Sequence, residues 1–212
     1  MACPYSETAD GFERQFGTNH LGHFLLFQLL KSSMLASFSS SFSSRVVSVS
    51  SSGHHNLGIN FDDFSLRSRP GGYSPWEAYG QSKTANIYLA NEIERRYGGA
   101  NGRLHANSVM PGGIETPLQK YQPDIITNAK ADEEAYKTMK STAQGAATTV
   151  WAAIGPQWEN SGGKYLEDCA VAELGEPGTW KGYAAHAFDE SAARRLWSRS
   201  CRLVGVEEEE EY

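Results

Sequence analysis

Residues 76–113 read WEAYGQSKTANIYLANEIERRYGGANGRLHANSVMPGG, and the change of pattern within them decides the fold. From Trp76 to Tyr97 the apolar positions Ala78, Ala85, Ile87, Leu89, Ala90 and Ile93 recur at helical spacing, and Gly98-Gly99 stops the run. RLHANSVM then predicts a short strand closed by Pro-Gly-Gly. Upstream, RVVSVS (45–50) is a β-branched run that predicts a buried strand. Strand, helix, strand in this order is the unit of a parallel sheet, so an α/β fold is expected.

Further out, residues 6–35 carry Phe12, Phe16, Leu21, Phe24, Leu25, Leu29 and Leu30, a spacing that predicts one long amphipathic helix. Gly17 and Gly22 inside it point to close packing or a kink. Twelve serines fall between Ser32 and Ser52, and the first part of that stretch reads as a flexible loop. A second long loop contains FDDF and the breaker cluster SRPGGYSP. Residues 117–140 are mixed and polar and predict a mobile segment with some helix. TAQGAATTVWAAIG predicts an alanine-rich helix, GGKYLED a third short strand, and DESAARRLWSRSCRLVG a terminal helix with Asp189 or Ser191 near its N-cap.

The 212 residues fit one domain with a real core, 40% of them hydrophobic and 21% charged. The net charge is −6, and five of the acids form the run Glu207 to Glu211, expected to be a solvated tail. The domain is placed at 1–205 and the acidic tail at 206–212. An acidic balance without a basic stripe argues against nucleic-acid binding. Cys3, Cys169 and Cys201 are scattered and odd in number, so neither a disulfide framework nor a zinc site is expected, and a reducing, cytoplasmic compartment is. No apolar run approaches the ~20 residues of a membrane helix.

Tyr79 and Lys83 are four apart, which on a helix puts both on one face. The spacing decides nothing alone, because Tyr136 and Lys140 repeat it. Position separates them. Ligands of an open parallel sheet bind beyond the carboxyl ends of its strands. Ser50 and Ser51 lie at one such end and Pro111, Gly112 and Gly113 at another, with Tyr79 and Lys83 near the start of the helix between. Tyr136 and Lys140 lack this frame and are read as surface residues. His20 and His23, His54-His55 and Cys169 are read as packing residues rather than metal ligands, and FDDF as loop.

The order and spacing of TNHLGHF, RVVSVSSSGHH, AYGQSKTAN, MPGGIETPL, GAATTVWAA, GGKYLEDC and ARRLWSRS resemble the short-chain dehydrogenase/reductase family, in the branch that includes retinol dehydrogenases and WW-domain oxidoreductases. The resemblance covers nearly the whole chain. It implies a Rossmann-type doubly wound parallel sheet, of which the family's strands 5–7 and their helices are present. It also implies an oxidoreductase that uses NADP or NAD on a small-molecule carbonyl or alcohol. Carried over by position, Tyr79 is the acid–base group and Lys83 lowers its pKa and binds the nicotinamide ribose. Ser51 holds the substrate oxygen, with Ser50 and Ser52 as neighbouring candidates. Asn19 holds a proton-relay water. Pro111, Gly112, Gly113 and Ile114 pass along the nicotinamide, and Thr116 caps that loop and bonds the cofactor. Residues 117–140 and the loop from Asn56 to Pro75 line the substrate pocket.

Two family features are absent from these 212 residues: the glycine-rich T-G-x-x-x-G-x-G turn that cradles a pyrophosphate, and the Asn-Asn-Ala-Gly motif. YGGANG (97–102) ends a helix rather than opening one and is read as a C-cap and loop. The first strand would be an exposed edge, and a homo-oligomer is compatible with that. The alternative reading is a non-catalytic truncated fragment or an interaction protein.

Overall fold

Ser74 caps the long helix by accepting the Glu77 N–H, and Pro75 takes its first position, where no backbone donor is needed. The structure is a computed structural model that describes residues 1–39, 42–99 and 102–209. Parts of the serine-rich loop, of the turn after the long helix and of the acidic tail lie outside the described residues.

The elements in chain order are α1 (Arg14–Phe16), a π-helical turn (Gly17–Leu21), α2 (Gly22–Ala36), β1 (Ser44–Val49), α3 (Pro75–Tyr97), β2 (Leu104–Met110), α4 (Pro123–Ala131), α5 (Glu133–Thr138), α6 (Thr142–Ile154), β3 (Tyr165–Glu167), β4 (Ala170–Val171) and α7 (Glu190–Val204). One sheet holds the strands in the order β1-β2-β3-β4. β1 pairs with β2 in parallel, from Ser44↔Leu104 to Val49↔Val109, and β2 pairs with β3 in parallel through Ser108↔Tyr165. β4 folds back antiparallel on β3. Phe24, Phe27, Leu89, Ile93 and Trp197 join α2, α3 and α7 on one face against Leu104 and Ala106. On the other face Ala152 and Trp158 meet Val109 and Leu166. Helices thus cover both faces, as in a doubly wound α/β fold. Among the described residues no helix is long and apolar enough to cross a membrane.

Four departures from the sequence reading have physical causes. The first helix starts at Arg14, not Ser6, because Asp10-Gly11 makes a turn with Gly11 at φ +81°. Glu13 then caps the helix, accepting from Gln15 N at 2.9 Å and Phe16 N at 2.7 Å. A Cβ on Gly17 would stand 2.8 Å from Thr8 Cγ2, so the turn packs directly on the helix where it loosens to π geometry. The β1 strand is only partly buried: Ser44 and Ser48 are covered, Val46 and Val47 are half-buried against the two faces' clusters, and Val49 is 42% exposed. Among the described residues β2 is its one strand partner, so β1 is an edge. β4 was not foreseen. Its hairpin turns on Asp168 and Cys169, both left-handed (φ 51° and 56°), a conformation that Asn-Gly normally advertises and Asp-Cys does not. The described part of the acidic run is exposed, but two of its side chains are also paired with the fold. Glu209 pairs with Lys31 at 2.6 Å and accepts from the Tyr97 hydroxyl at 3.1 Å, and Glu208 accepts from Ser198 at 2.7 Å.

Candidate functional site

A cavity of about 770 Å³ opens at the carboxyl ends of β1 and β2. Tyr79 and Lys83 enter it from the first turns of α3, and Ser51 from the loop after β1. The loop after β2 supplies Pro111, Gly112, Gly113, Ile114 and Thr116. Asn19 is outside this group. Its side-chain amide donates to Ser82 Oγ at 2.9 Å, and its carbonyl accepts from His23 Nδ1 at 2.7 Å.

Ser50 and Ser51, adjacent in sequence, have different work. Ser50 is buried and its hydroxyl donates to the Lys83 carbonyl at 2.8 Å, tying the strand end to α3. Ser51 caps the 3-10 turn Ser52–Asn56, accepting from Gly53 N at 3.1 Å, and lines the same cavity as the Tyr79 phenol. Two glycines let this turn lie on α3. A Cβ on Gly53 would be 2.8 Å from Tyr79 Cε1, and one on Gly80 would be 2.6 Å from the Gly53 carbonyl.

Behind Ser51 stands His54, fully buried. The Ala184 N–H donates to its Nε2 at 2.9 Å, so the ring proton is on Nδ1 and is donated to the Ser51 carbonyl at 2.7 Å. Burial holds this imidazole at a pKa of about 4, so it stays neutral. His54 is a positioning residue for Ser51. Its place three residues after Ser51 was the only trace in the sequence, and packing was the reading made from it. His20 is also buried, bonded to Ser200 Oγ at 2.8 Å, while His23 is exposed on the Asn19 carbonyl. Among the described residues no three His, Cys, Asp or Glu side chains are grouped to hold a metal ion.

Electrostatics here differ from the expected pattern. Burial raises the Tyr79 phenol above its ordinary value, and the Ser51 hydrogen bond pulls it partly back. Burial and Ser51, not Lys83, set this balance. The Lys83 ammonium donates to the Val49 carbonyl at 3.0 Å and lies 5.6 Å from the Tyr79 ring centroid. Burial pushes Lys83 itself down to about 8. At neutral pH the site therefore presents a protonated phenol, able to donate, beside a mostly charged lysine.

The loop after β2 is bare backbone. Gly112 is at φ +103° and a Cβ on Gly113 would meet nothing within 4 Å. Thr116 caps the turn Pro117–Gln119 and shares a capping box with Gln119. Lys140 is not the surface residue its motif suggested. It crosses Gly112, donates from Nζ to the Pro111 carbonyl at 3.3 Å, and pairs with Asp168. Its backbone N–H donates to the Gly113 carbonyl at 2.8 Å. Tyr136 is exposed, as read. The predicted pocket walls contribute Asn56, Leu118, Gln119 and Ile125, but Trp180 comes from a segment not assigned to the pocket.

No protein-family model matches the chain. A protein of Penicillium roqueforti named as a short-chain dehydrogenase/reductase is 48% identical over 211 residues, covering 98% of this chain and 61% of that protein. Human retinol dehydrogenase 14 is 37% identical over 205 residues, 96% of this chain and 56% of its own. The crystal structure of an uncharacterized protein from Mycobacterium paratuberculosis superposes with a TM-score of 0.68 at 35% identity, covering 98% of this chain and 64% of that one. The chain spans about three fifths of the length of these proteins.

Proposed function

We propose that this chain, a relative of the short-chain dehydrogenases/reductases over nearly its whole length, carries the proton-transfer side of an oxidoreductase site for a carbonyl or alcohol. The observation that supports this best is the convergence of Tyr79, Ser51 and Lys83 on one cavity at the strand ends. In reduction, the Ser51 hydroxyl holds the substrate oxygen and the Tyr79 phenol gives it a proton as the carbonyl carbon gains a hydride. In oxidation the Tyr79 phenolate takes that proton back. Proton transfer by a positioned side chain contributes about 10²–10⁴-fold to rate. His54 keeps Ser51 in place, and the Ser51 hydroxyl favours the phenolate left after donation.

A bound NADP or NAD would supply or accept the hydride. Its nicotinamide end would lie along the Pro111–Ile114 backbone, which is open at Gly113, with Lys83 and Thr116 lining the same cavity. The pyrophosphate end has no such match, since the 212 residues contain no glycine-rich turn opening a helix. These residues alone should therefore bind the nucleotide weakly. Asn19, held by Ser82 and His23, acts as a relay only after it exchanges those bonds for a water.

The test pairs two measurements. Calorimetry on the 212-residue chain should show no NADPH or NADH binding at micromolar nucleotide, and tight binding would refute the weak-affinity expectation. At millimolar nucleotide, single-turnover reduction of an aldehyde should be lost in Tyr79→Phe. Turnover indifferent to that change would remove the proposed role. The second reading, a non-catalytic fragment or interaction protein, draws support from the open β1 edge and from Leu26 and Leu29 on α2, 52% and 70% exposed. No turnover in the wild-type chain at saturating nucleotide would favour it.

A further inference from the structure

Trp180 is 57% exposed, yet it lines the cavity. It stands near the tip of a loop whose base is firmly tied. Gly175 N donates to the Tyr183 carbonyl at 2.9 Å and Tyr183 N to the Glu173 carbonyl at 3.0 Å. Gly182 N donates to Glu167 Oε1 at 2.8 Å, and the Gly182 carbonyl accepts from His55 Nε2 at 3.1 Å. Gly182 is at φ +69°, and a Cβ there would be 2.3 Å from the Glu173 carbonyl, so the base is wound too tightly for another residue. The fold holds a large apolar ring in water on a rigid mount. Trp76 lines the same cavity from the first turn of α3, braced edge-to-face on Tyr79 with ring centroids 6.1 Å apart. Lys83 is the one charged side chain among the described lining residues, and it sits at the reacting end.

We propose that Trp76 and Trp180 form an aromatic wall that selects a neutral, flat, fused-ring alcohol or carbonyl and leaves its oxygen to Tyr79. The proposal rests on the oxidoreductase reading of Tyr79 and names the substrate class for it. Hydrophobic burial is non-directional and would treat a ring system and a saturated chain of similar area alike. An indole face adds a preference for planar rings through offset or edge-to-face stacking. Among the described lining side chains only Lys83, at the reacting end, could pair with a charged ligand.

The test compares 2-naphthalenemethanol with 1-decanol by ligand-observed NMR titration of the 212-residue chain, in wild type, Trp180→Ala, Trp180→Phe and Trp76→Ala. Trp180→Ala should weaken 2-naphthalenemethanol about tenfold and 1-decanol by less than about threefold, and Trp180→Phe should stay within about threefold of wild type for both. Trp76→Ala should show the same selectivity for the ring ligand. The exposed position of Trp180 makes its replacement mild for folding, which circular dichroism checks. Equal losses for both ligands, no loss for either, or no binding of 2-naphthalenemethanol to wild type would overturn the proposal. A nucleotide titration of the same samples separates the two readings. Ring selectivity that follows Trp180, with no nicotinamide nucleotide bound even at millimolar level, would keep the wall and remove the dehydrogenase.

Discussion

Replacing Gly80 by alanine tests whether the close approach of α3 to the Ser51 turn is a requirement. The added methyl carbon would stand 2.6 Å from the Gly53 carbonyl, 2.8 Å from Asn56 Cβ and 3.2 Å from Leu57 N. Ordinary contacts need the turn to retreat by roughly 0.7–1 Å. Overpacking of this kind costs about 1–3 kcal/mol. Against it, alanine in place of glycine inside a helix gains about 1 kcal/mol. The sum is a net loss of about 1 kcal/mol, read as a fall in Tm of about 2–4 °C for a chain of this size. The turn that must retreat is capped by Ser51, so the Ser51–Tyr79 contact opens as well. A displacement near 1 Å in a reacting group can cost about 10²-fold in rate. Urea unfolding followed by circular dichroism gives the first number and single turnover the second. A Gly80→Ala protein about 1 kcal/mol more stable than wild type, the gain of an uncrowded helix glycine, would refute the reasoning.

Acid should destabilise the fold through its buried histidines. His20 and His54 are depressed to about 3 and about 4 from an ordinary 6.5, mainly by burial. Their stabilising contribution is complete above pH 6.5 and is lost as pH falls toward the folded values, because the unfolded chain takes the protons first. From these two groups the loss by pH 5 should reach up to about 4 kcal/mol. A urea midpoint unchanged between pH 7 and pH 5 would contradict it. Replacing Glu208 and Glu209 together by alanine should cost about 1 kcal/mol or less at low ionic strength, since these are partly exposed pairs. The difference should vanish in 1 M salt, and a loss insensitive to salt would show that charge is not what the run contributes. Lys140→Met breaks the bonds to Pro111 and Asp168. It should expose residues 117–138 to limited proteolysis with little change in the far-ultraviolet spectrum, and an unchanged cleavage rate would mean the backbone bridge alone holds that segment.

The layout of helices and main strands was legible because each has a local cause. Gly98 stops α3 and Asp189 caps α7, its side chain accepting from Ala192 N at 2.9 Å. What was not legible depends on contacts far apart in sequence. Nothing local says that Glu208 and Glu209 meet Lys31, Arg96 and Ser198. Nothing near His54 announces Ala184 N as the donor that sets its tautomer. The upward direction of the Tyr79 shift was not legible for the same reason. Spacing put a cation one turn away, but the Val49 carbonyl at the open end of β1 is what holds that cation.

The two Y-x-x-x-K pairs show how much of a motif belongs to its backbone. Tyr79 and Lys83 both lie within α3, so four residues bring them to one face, and the cavity wraps that face. Tyr136 is in α5, but that helix ends at Thr138, and Lys140 lies beyond it in a bridge to Ile114. The same spacing therefore sends the second lysine away from its tyrosine and across Gly112, where φ +103° and a missing Cβ make room for it. Helix length, set by where caps fall, decided which pair could share a helix face. Extending α5 through Lys140 would bring Tyr136 and Lys140 together on a surface helix, yet it would strip the Pro111 loop of its tie, so the loop that lines the cavity beside the first pair depends on the second lysine being where it is.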